Sequence, residues 1–157
     1  MDNQSPNFDD ALLDALNAFN RDDYETAYKL FLPLAEQGDM FAQHFLALLH
    51  LEEGVNQDYK EAVKLFLLSA EQGNMFVQYG LGYMYYEGQG VPQDYEEAVK
   101  WYRLSAEQGD ASAQCSLGEM YYGGEGVSHD YAEAIKWWKL AAEQGHERAK
   151  YNLDNYA

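Results

Sequence analysis

Apolar residues recur along this chain at the three- and four-residue spacing of an amphipathic helix, and the whole pattern restarts about every 36 residues. The clearest stretch has apolar side chains at Tyr95, Ala98, Val99, Trp101, Tyr102, Leu104 and Ala106. Such a spacing places these side chains on one face of a helix that packs against a neighbour. The chain is therefore predicted to consist of short helices in a repeating arrangement.

Two short motifs mark the repeat and stay in phase with each other. The tetrapeptide Ala-Glu-Gln-Gly occurs four times, and an Asp-Tyr pair precedes each copy. Aspartate is a favourable N-cap, a Glu three residues after it in three copies resembles a capping box, and the glycine can end a helix in a left-handed turn. These motifs predict one helix per repeat between each of the pairs Asp23 and Gly38, Asp58 and Gly73, Asp94 and Gly109, and Asp130 and Gly145.

The other helix of each repeat begins after that glycine, at the caps Asp39, Asn74 and Asp110. It contains a Leu-Gly pair in two repeats, Leu81-Gly82 and Leu117-Gly118. Glycine inside a helix costs about 1 kcal/mol relative to alanine, so its recurrence predicts a backbone that crosses too close for a Cβ. Glycine-rich turns follow these helices, and the corresponding turn at Glu52–Val55 is one residue shorter.

Taken together, these motifs resemble the Sel-one-like repeat (SLR), a relative of the tetratricopeptide repeat. The best copy runs from Ala113 to Gly145, and Val77–Gly109 repeats it one unit earlier. The resemblance implies an all-α fold, a right-handed α-solenoid of helix-turn-helix units, in a single repeat domain over residues 1–157. Its expected units are a tetratricopeptide-like unit 8–38, SLRs 39–73, 74–109 and 110–145, and a terminal capping helix 146–157.

The chain is strongly acidic, because 27 Asp and Glu residues against 10 Lys and Arg give a formal net charge of −17 over 157 residues. This charge argues against binding to nucleic acid, whose phosphates require basic residues, and against docking on anionic lipid. Aromatic residues make up 15% of the chain, whereas disordered acidic chains are poor in them. We therefore predict a folded protein that binds neither nucleic acid nor a membrane.

The location of the protein is predicted from what the sequence lacks. No apolar run approaches the length of a membrane span, and the polar start Met1–Pro6 lacks the basic and apolar regions of a signal peptide. A single cysteine, Cys115, excludes an internal disulfide. We expect a cytoplasmic protein; a periplasmic or secreted protein whose leader had been removed and replaced by Met would begin in the same way.

The residues give no positive sign of catalysis or of cofactor or metal binding. His44 and His50 lie six residues apart rather than the four of a helical metal pair. The Gly-x-Gly turns follow helices, whereas phosphate cradles follow strands, so turn formation explains these glycines better. Cys115 has no evident base and is typical of a small apolar filler, although its position within the repeat favours accessibility. We predict no catalytic residue, no cofactor and no metal site.

The first helix of each pair lines the concave face in tetratricopeptide-like units, and this resemblance suggests a partner-binding groove. Positions that vary between the repeats are the better groove candidates, because packing between repeats would favour the same residue each time. Each of the aromatic candidates could equally serve in packing. The predicted groove residues are Phe41, His44, Leu48, Phe76, Tyr79, Tyr83, Tyr86, Glu87, Cys115, Glu119 and Tyr122.

The function predicted from these features is that of an adaptor or scaffold that binds a protein or peptide in the concave groove. Groove carboxylates at Glu52, Glu87 and Glu119 would favour a basic partner, and the chain is expected to be a monomer. One alternative is an acidic inhibitor or immunity protein that neutralises a basic toxin or enzyme. A less favoured alternative is a hydrolase that uses Cys115.

Overall fold

The computed structural model describes residues 8–52 and 58–157, with the side chain of Phe8 excepted. Within these residues the secondary structure consists of nine α-helices and contains no strand. The helices are α1 Phe8–Phe19, α2 Tyr24–Glu36, α3 Met40–Leu49, α4 Tyr59–Glu71, α5 Met75–Glu87, α6 Tyr95–Glu107, α7 Ala111–Gly123, α8 Tyr131–Glu143 and α9 Glu147–Tyr156. The predicted all-α repeat fold is confirmed.

The chain divides into two compact units, Met1–Gln72 and Gly73–Ala157. The first unit contains helices α1 to α4 and the second contains α5 to α9, and within each unit helices that follow each other in sequence pack side by side. In the described part of the chain, no helix is long and apolar enough to span a bilayer. The predicted turn Glu52–Val55 and the predicted start Met1–Pro6 fall mainly or wholly on residues outside those described.

The helix boundaries follow the capping residues that the motifs predicted. Asp23, Asp58, Asp94 and Asp130 are the N-caps of α2, α4, α6 and α8, and each side chain accepts a hydrogen bond from a backbone N–H of the first turn. The glycines of the four Ala-Glu-Gln-Gly motifs all have positive φ, between 89° and 103°. Only glycine adopts this conformation at little cost, so the motif ends each second helix as predicted.

The predicted capping box is only half formed. The backbone N–H of Glu97 donates to Asp94 as expected, but the Glu97 carboxylate forms an ion pair with Lys100 at 3.1 Å. The N–H of Asp94, which the box would satisfy, donates instead to the carbonyl of Tyr85 at 2.9 Å. The chain therefore closes the turn between α5 and α6 with a backbone hydrogen bond and leaves the glutamate free to bind lysine.

The core of each unit repeats one large side chain on every second helix. Phe31, Phe66, Tyr102 and Trp138 occupy this position in α2, α4, α6 and α8, and all four are buried. Helix α2 also contains Pro33, and proline inside a helix removes a hydrogen bond and tends to kink or end the helix. The helix continues through Pro33 to Glu36, so it does not end there.

Side-chain amides join the two helices of a repeat, one buried on the first helix and one exposed at the end of the second. The side chain of Gln108 donates to Gln78 at 2.7 Å, and that of Gln144 donates to Gln114 at 2.9 Å. Within the first unit, Gln72 donates to Gln43 in the same way at 2.8 Å. A buried polar group that lacks a partner is costly, and these pairs satisfy each other. The Gln of the Ala-Glu-Gln-Gly motif therefore has a structural role beyond the helix end.

The prediction for the glycines inside helices is right about crowding and wrong about its source at Gly82. The atoms nearest to a Cβ placed at Gly82 belong to the side chain of Tyr102, not to a crossing backbone. At Gly118 the nearest atoms belong to the indole of Trp138, and the carbonyl oxygen of Ala134 follows at 3.1 Å. The missing Cβ thus makes room chiefly for the large core ring of the next helix.

Candidate functional site

Two adjoining cavities open on the second unit, and both are lined mainly by tyrosines and charged groups. The first, here named the Tyr79 cavity, has a volume of about 320 Å³. Its lining residues are Tyr79, Tyr83, Tyr86, Glu87, Tyr102, Ser116, Glu119, Met120, Glu125 and Arg148. The second, named the Tyr151 cavity, has a volume of about 510 Å³. Its lining residues are Tyr86, Glu119, Tyr122, Trp138, Arg148, Tyr151, Asn152 and Tyr156.

Helix α5 contributes one wall of the Tyr79 cavity. Tyr83 follows Tyr79 by four residues, Tyr86 follows Tyr83 by three, and Glu87 comes next, so the four side chains lie on one side of the helix. The ring of Tyr79 lies 5.7 Å from that of Tyr102, which is buried in the core. The core therefore holds the position of the deepest tyrosine of this wall.

The environment of the Tyr79 cavity favours the protonated form of Tyr79, Tyr86 and Tyr102. Burial raises the pKa of Tyr79 and of Tyr86 above the ordinary value for tyrosine. The negative charge of Glu125 further raises the pKa of Tyr86. Burial also raises the pKa of Tyr102, and strongly. These side chains are neutral at physiological pH and can donate or accept hydrogen bonds.

An ion pair lies where the two cavities meet. The Arg148 Nε donates to Glu119 Oε1 at 2.6 Å, and both residues line both cavities. The same carboxylate oxygen accepts a hydrogen bond from the Asn152 side chain at 3.0 Å. Glu119 comes from α7, whereas Arg148 and Asn152 come from α9. The terminal helix thus supplies the groups that fix Glu119 in place.

Aromatic side chains surround the Tyr151 cavity. The ring of Tyr122 lies 5.5 Å from Trp138 and 5.1 Å from Tyr156, and Tyr151 lies 6.5 Å from Tyr156. These separations are typical of aromatic pairs in proteins. Trp138 is buried, whereas Tyr151 and Tyr156 are exposed. The cavity therefore has a fixed aromatic floor and an accessible aromatic rim.

The structure brings six of the predicted groove residues of the second unit together. Tyr79, Tyr83, Tyr86, Glu87 and Glu119 line the Tyr79 cavity, and Tyr122 lines the Tyr151 cavity. Phe76 lines neither cavity, and with 64% of its surface exposed it stands free on α5. The sequence is equally compatible with a groove role and a packing role for each aromatic candidate. In the case of Tyr86, the ring serves both, since it also contacts Tyr95 at 5.3 Å.

The first unit contains a cavity of about 380 Å³. The three residues predicted for the groove in this unit, Phe41, His44 and Leu48, are not among its lining residues. Phe41 is exposed, and Leu48 is half-buried. His44 is half-buried between the rings of Phe45 and Phe66, at 5.0 and 6.1 Å. Burial lowers the pKa of His44, so its imidazole is favoured in the neutral form.

Cys115 is buried, so the expectation that it is accessible is wrong. Only 2% of its surface is exposed, because it packs in a cluster with Trp138 and Ala134. Burial, together with the charge of Glu119, raises the pKa of the thiol to about 12. The thiol is therefore protonated at neutral pH, which is the opposite of what a cysteine nucleophile needs.

Several lining residues were not predicted from the sequence, because the resemblance to tetratricopeptide-like units assigns the groove to first helices only. Tyr102 lies on a second helix, and Arg148, Asn152 and Tyr156 lie on α9, which the sequence predicted only as a cap. The repeat spacing contains a usable signal for Tyr151, since this residue shares its repeat position with Tyr79. No sequence pattern indicated that α9 supplies the cation of the site.

No metal centre accompanies these cavities. Among residues 8–52 and 58–157, no group of three or more His, Cys, Asp and Glu side chains could hold a metal ion.

The glycine-rich turn after α5 contains Gly88 and Gly90, with φ of 70° and 72°. The corresponding Gly124 and Gly126 have φ of 69° and 66°. These positive values are a sufficient reason for glycine at all four positions.

Solved structures similar to this chain include three bacterial repeat proteins. A protective antigen of uropathogenic Escherichia coli strains, described as having an SLR fold, is 40% identical with a TM-score of 0.74. The match covers 78% of this chain but only 27% of the antigen, so this chain spans about a quarter of that protein. A Sel1 repeat protein from Oxalobacter formigenes is 34% identical, with a TM-score of 0.74 and coverage of 87% and 98%.

The third structure, cysteine rich protein B of Helicobacter pylori, shares the fold at 22% identity and a TM-score of 0.62, with coverage of 82% and 92%. No functionally curated protein matches the chain. The family model of the Sel1 repeat matches residues 20–39, 41–74, 76–110 and 111–146, which is most of the chain. The chain therefore belongs to the Sel1 repeat family, whose members generally act as scaffolds for interactions between proteins.

Proposed function

We propose that this protein is an adaptor that binds a segment of a partner protein across the Tyr79 and Tyr151 cavities of its second unit. The observation that carries the proposal is the arrangement of the two cavities, which share Tyr86, Glu119 and Arg148 and so form one continuous lined surface. Tyrosine combines a large apolar ring with a hydroxyl, and it is enriched at protein interfaces for that reason.

The chemistry of the surface favours binding over catalysis. Proteins of the Sel1 repeat family are typically scaffolds without enzymatic activity. The only thiol of the sequence, that of Cys115, is buried and has a pKa of about 12, which does not support a cysteine hydrolase. Glu119, the carboxylate at the centre of the surface, is held by Arg148 and Asn152. These features support a fixed recognition surface.

The test is capture of a partner by immobilised full-length protein from the native lysate. A Tyr79→Ala/Tyr83→Ala variant is compared with a Leu104→Ala/Leu140→Ala variant, which removes exposed apolar side chains from second helices of the same unit. We expect the tyrosine variant to lose the partner and the leucine variant to retain it, at equal helix content by circular dichroism. Equal capture by both variants would contradict the proposed surface.

The same experiment addresses the alternative role of an inhibitor or immunity protein. If the captured partner is an enzyme, its activity is measured with increasing amounts of the wild-type chain. An adaptor leaves the activity intact at saturation, because its surface holds the partner without closing the partner's active site. Loss of activity with a matching stoichiometry would favour the inhibitor instead.

A further inference from the structure

Building on the proposed function, we propose that the Tyr79 cavity binds an arginine side chain of the partner. Three observations in the second unit support an arginine side chain as the ligand. These are the excess of carboxylates around the cavity, the guanidinium that the chain itself already places there, and the tyrosine rings that line it.

The charge around the Tyr79 cavity is unbalanced. Three carboxylates line it, those of Glu87, Glu119 and Glu125, whereas Arg148 is the only cation among its lining residues. The lining thus has an excess of two negative charges. Opposite charges across an interface attract, and like charges placed together oppose binding. An acidic segment would meet the negative charges of Glu87 and Glu125, so the cavity favours a cationic group.

The ion pair between Arg148 and Glu119 shows that the site accepts a guanidinium. The two side chains meet at 2.6 Å, but 71% of the Arg148 side chain is exposed against 29% for Glu119. An ion pair in which one partner stays mostly in water contributes little to stability, because water competes for that charge. Arg148 can therefore leave Glu119 at small cost, while Asn152 continues to hold the carboxylate at 3.0 Å. A guanidinium from a partner can take its place.

The tyrosine rings complete a site for a long cationic side chain. Tyr79, Tyr83, Tyr86 and Tyr102 line the cavity, and aromatic faces attract a guanidinium more strongly when water is excluded. The volume of about 320 Å³ is roughly ten times the ~30 Å³ that a water molecule occupies in the liquid. The space accommodates one extended side chain.

The test uses the full chain and two capped five-residue peptides that differ at the central residue, arginine in one and citrulline in the other. Citrulline has nearly the same shape and no charge, so the comparison isolates the cation. Binding is measured by calorimetry, and its location by amide chemical shifts in NMR. We expect the arginine peptide to bind at least about fivefold more tightly and to shift the amides of Tyr79, Tyr83 and Ser116.

Charge variants separate the cavity from the general acidity of the protein. Glu87→Gln and Glu125→Gln should each weaken the arginine peptide by about three- to fivefold, in line with exposed ion pairs, and leave the citrulline peptide unchanged. Glu143→Gln, which removes the same charge from an exposed site at the end of α8 outside both cavities, is the matched control and should change neither. Arg148→Gln should strengthen binding of the arginine peptide, because it removes the internal competitor.

Equal affinity for the two peptides, or the same loss in Glu143→Gln as in Glu87→Gln, would overturn the arginine site. So would the absence of shifts at the Tyr79 cavity with millimolar arginine peptide. None of these results would overturn the proposed function, which depends on capture of a partner by the tyrosine surface.

Discussion

Gly82 of α5 lies against the ring of Tyr102 of α6, so close that a Cβ on Gly82 would be 2.5 Å from the Cδ1 of that ring. Tyr102 belongs both to the core and to the lining of the Tyr79 cavity. The same relationship recurs one repeat later, where a Cβ on Gly118 would be 2.5 Å from the Cδ1 of Trp138. Each glycine therefore fixes the depth at which a large aromatic residue enters the core beside a cavity.

Replacing Gly82 by alanine is expected to destabilise the protein by about 1–3 kcal/mol, because overpacking forces the ring or the backbone to move. Gly80 of the same helix is the matched control, since a Cβ there would meet no atom within 4 Å. Gly80→Ala should stabilise the chain by about 0.5–1 kcal/mol through helix propensity alone. Urea unfolding followed by circular dichroism measures both. A destabilised Gly80→Ala, or a stabilised Gly82→Ala, would contradict this account.

Replacing Gln114 by alanine tests the amide pairs between helices. Gln114 is 5% exposed, donates to the carbonyl of Ala106 at 3.1 Å, and accepts from Gln144. The substitution removes both hydrogen bonds, and at about 0.5–1.5 kcal/mol each we expect a loss of about 1–3 kcal/mol, although Ala106 still accepts from the Gly109 N–H and Gln144 still donates to the Gly109 carbonyl. Gln89→Ala, in the exposed turn after α5, should have almost no effect on the unfolding free energy. A Gln114→Ala protein as stable as the control would show that the pair contributes nothing.

Cys115 should resist alkylation in the folded protein. With a pKa raised to about 12, its thiolate fraction at about pH 8 is on the order of a thousandfold smaller than that of an ordinary cysteine. Iodoacetamide labelling followed by mass spectrometry should therefore be very slow without denaturant and complete in urea. The urea sample is the control for an intact thiol. Rapid labelling of the folded chain would indicate that the cysteine is exposed.

Alkaline pH should weaken the fold, and Tyr102 should account for part of the effect. Burial raises its pKa, so above about pH 10 the unfolded chain releases this proton while the folded chain retains it. The unfolded state then binds fewer protons, and stability falls as the pH rises. A Tyr102→Phe variant should lose about 1 kcal/mol less than the wild type between about pH 10 and 11.

Urea unfolding at several alkaline pH values measures this difference. Tyr83→Phe is the control, because Tyr83 is much more exposed than Tyr102, and its pH dependence should match that of the wild type. The same slope in Tyr102→Phe as in the wild type would assign the alkaline loss to other groups.

Local rules explain why so much of the fold could be predicted from the sequence. A cap such as Asp94 acts on the N–H groups two and three residues away, and a stop such as Gly109 acts through its own φ of 103°. Neither effect depends on distant parts of the chain, so the motifs predicted the helices and their order. Repetition in sequence then indicated repetition in structure, since within each unit the successive helices pack against each other.

Tertiary packing decided what the helices present to a partner. The sequence placed Cys115 and Tyr79 at the same repeat position, but Cys115 is buried against Trp138 whereas Tyr79 lines a cavity. The difference arises from the neighbouring side chains, and those come from other helices. For the same reason the sequence did not indicate that Arg148 of α9 reaches Glu119 of α7. The repeat pattern was sufficient to predict the helices, because caps and stops act locally, whereas contacts between residues far apart in sequence determined the surface that we propose as the binding site.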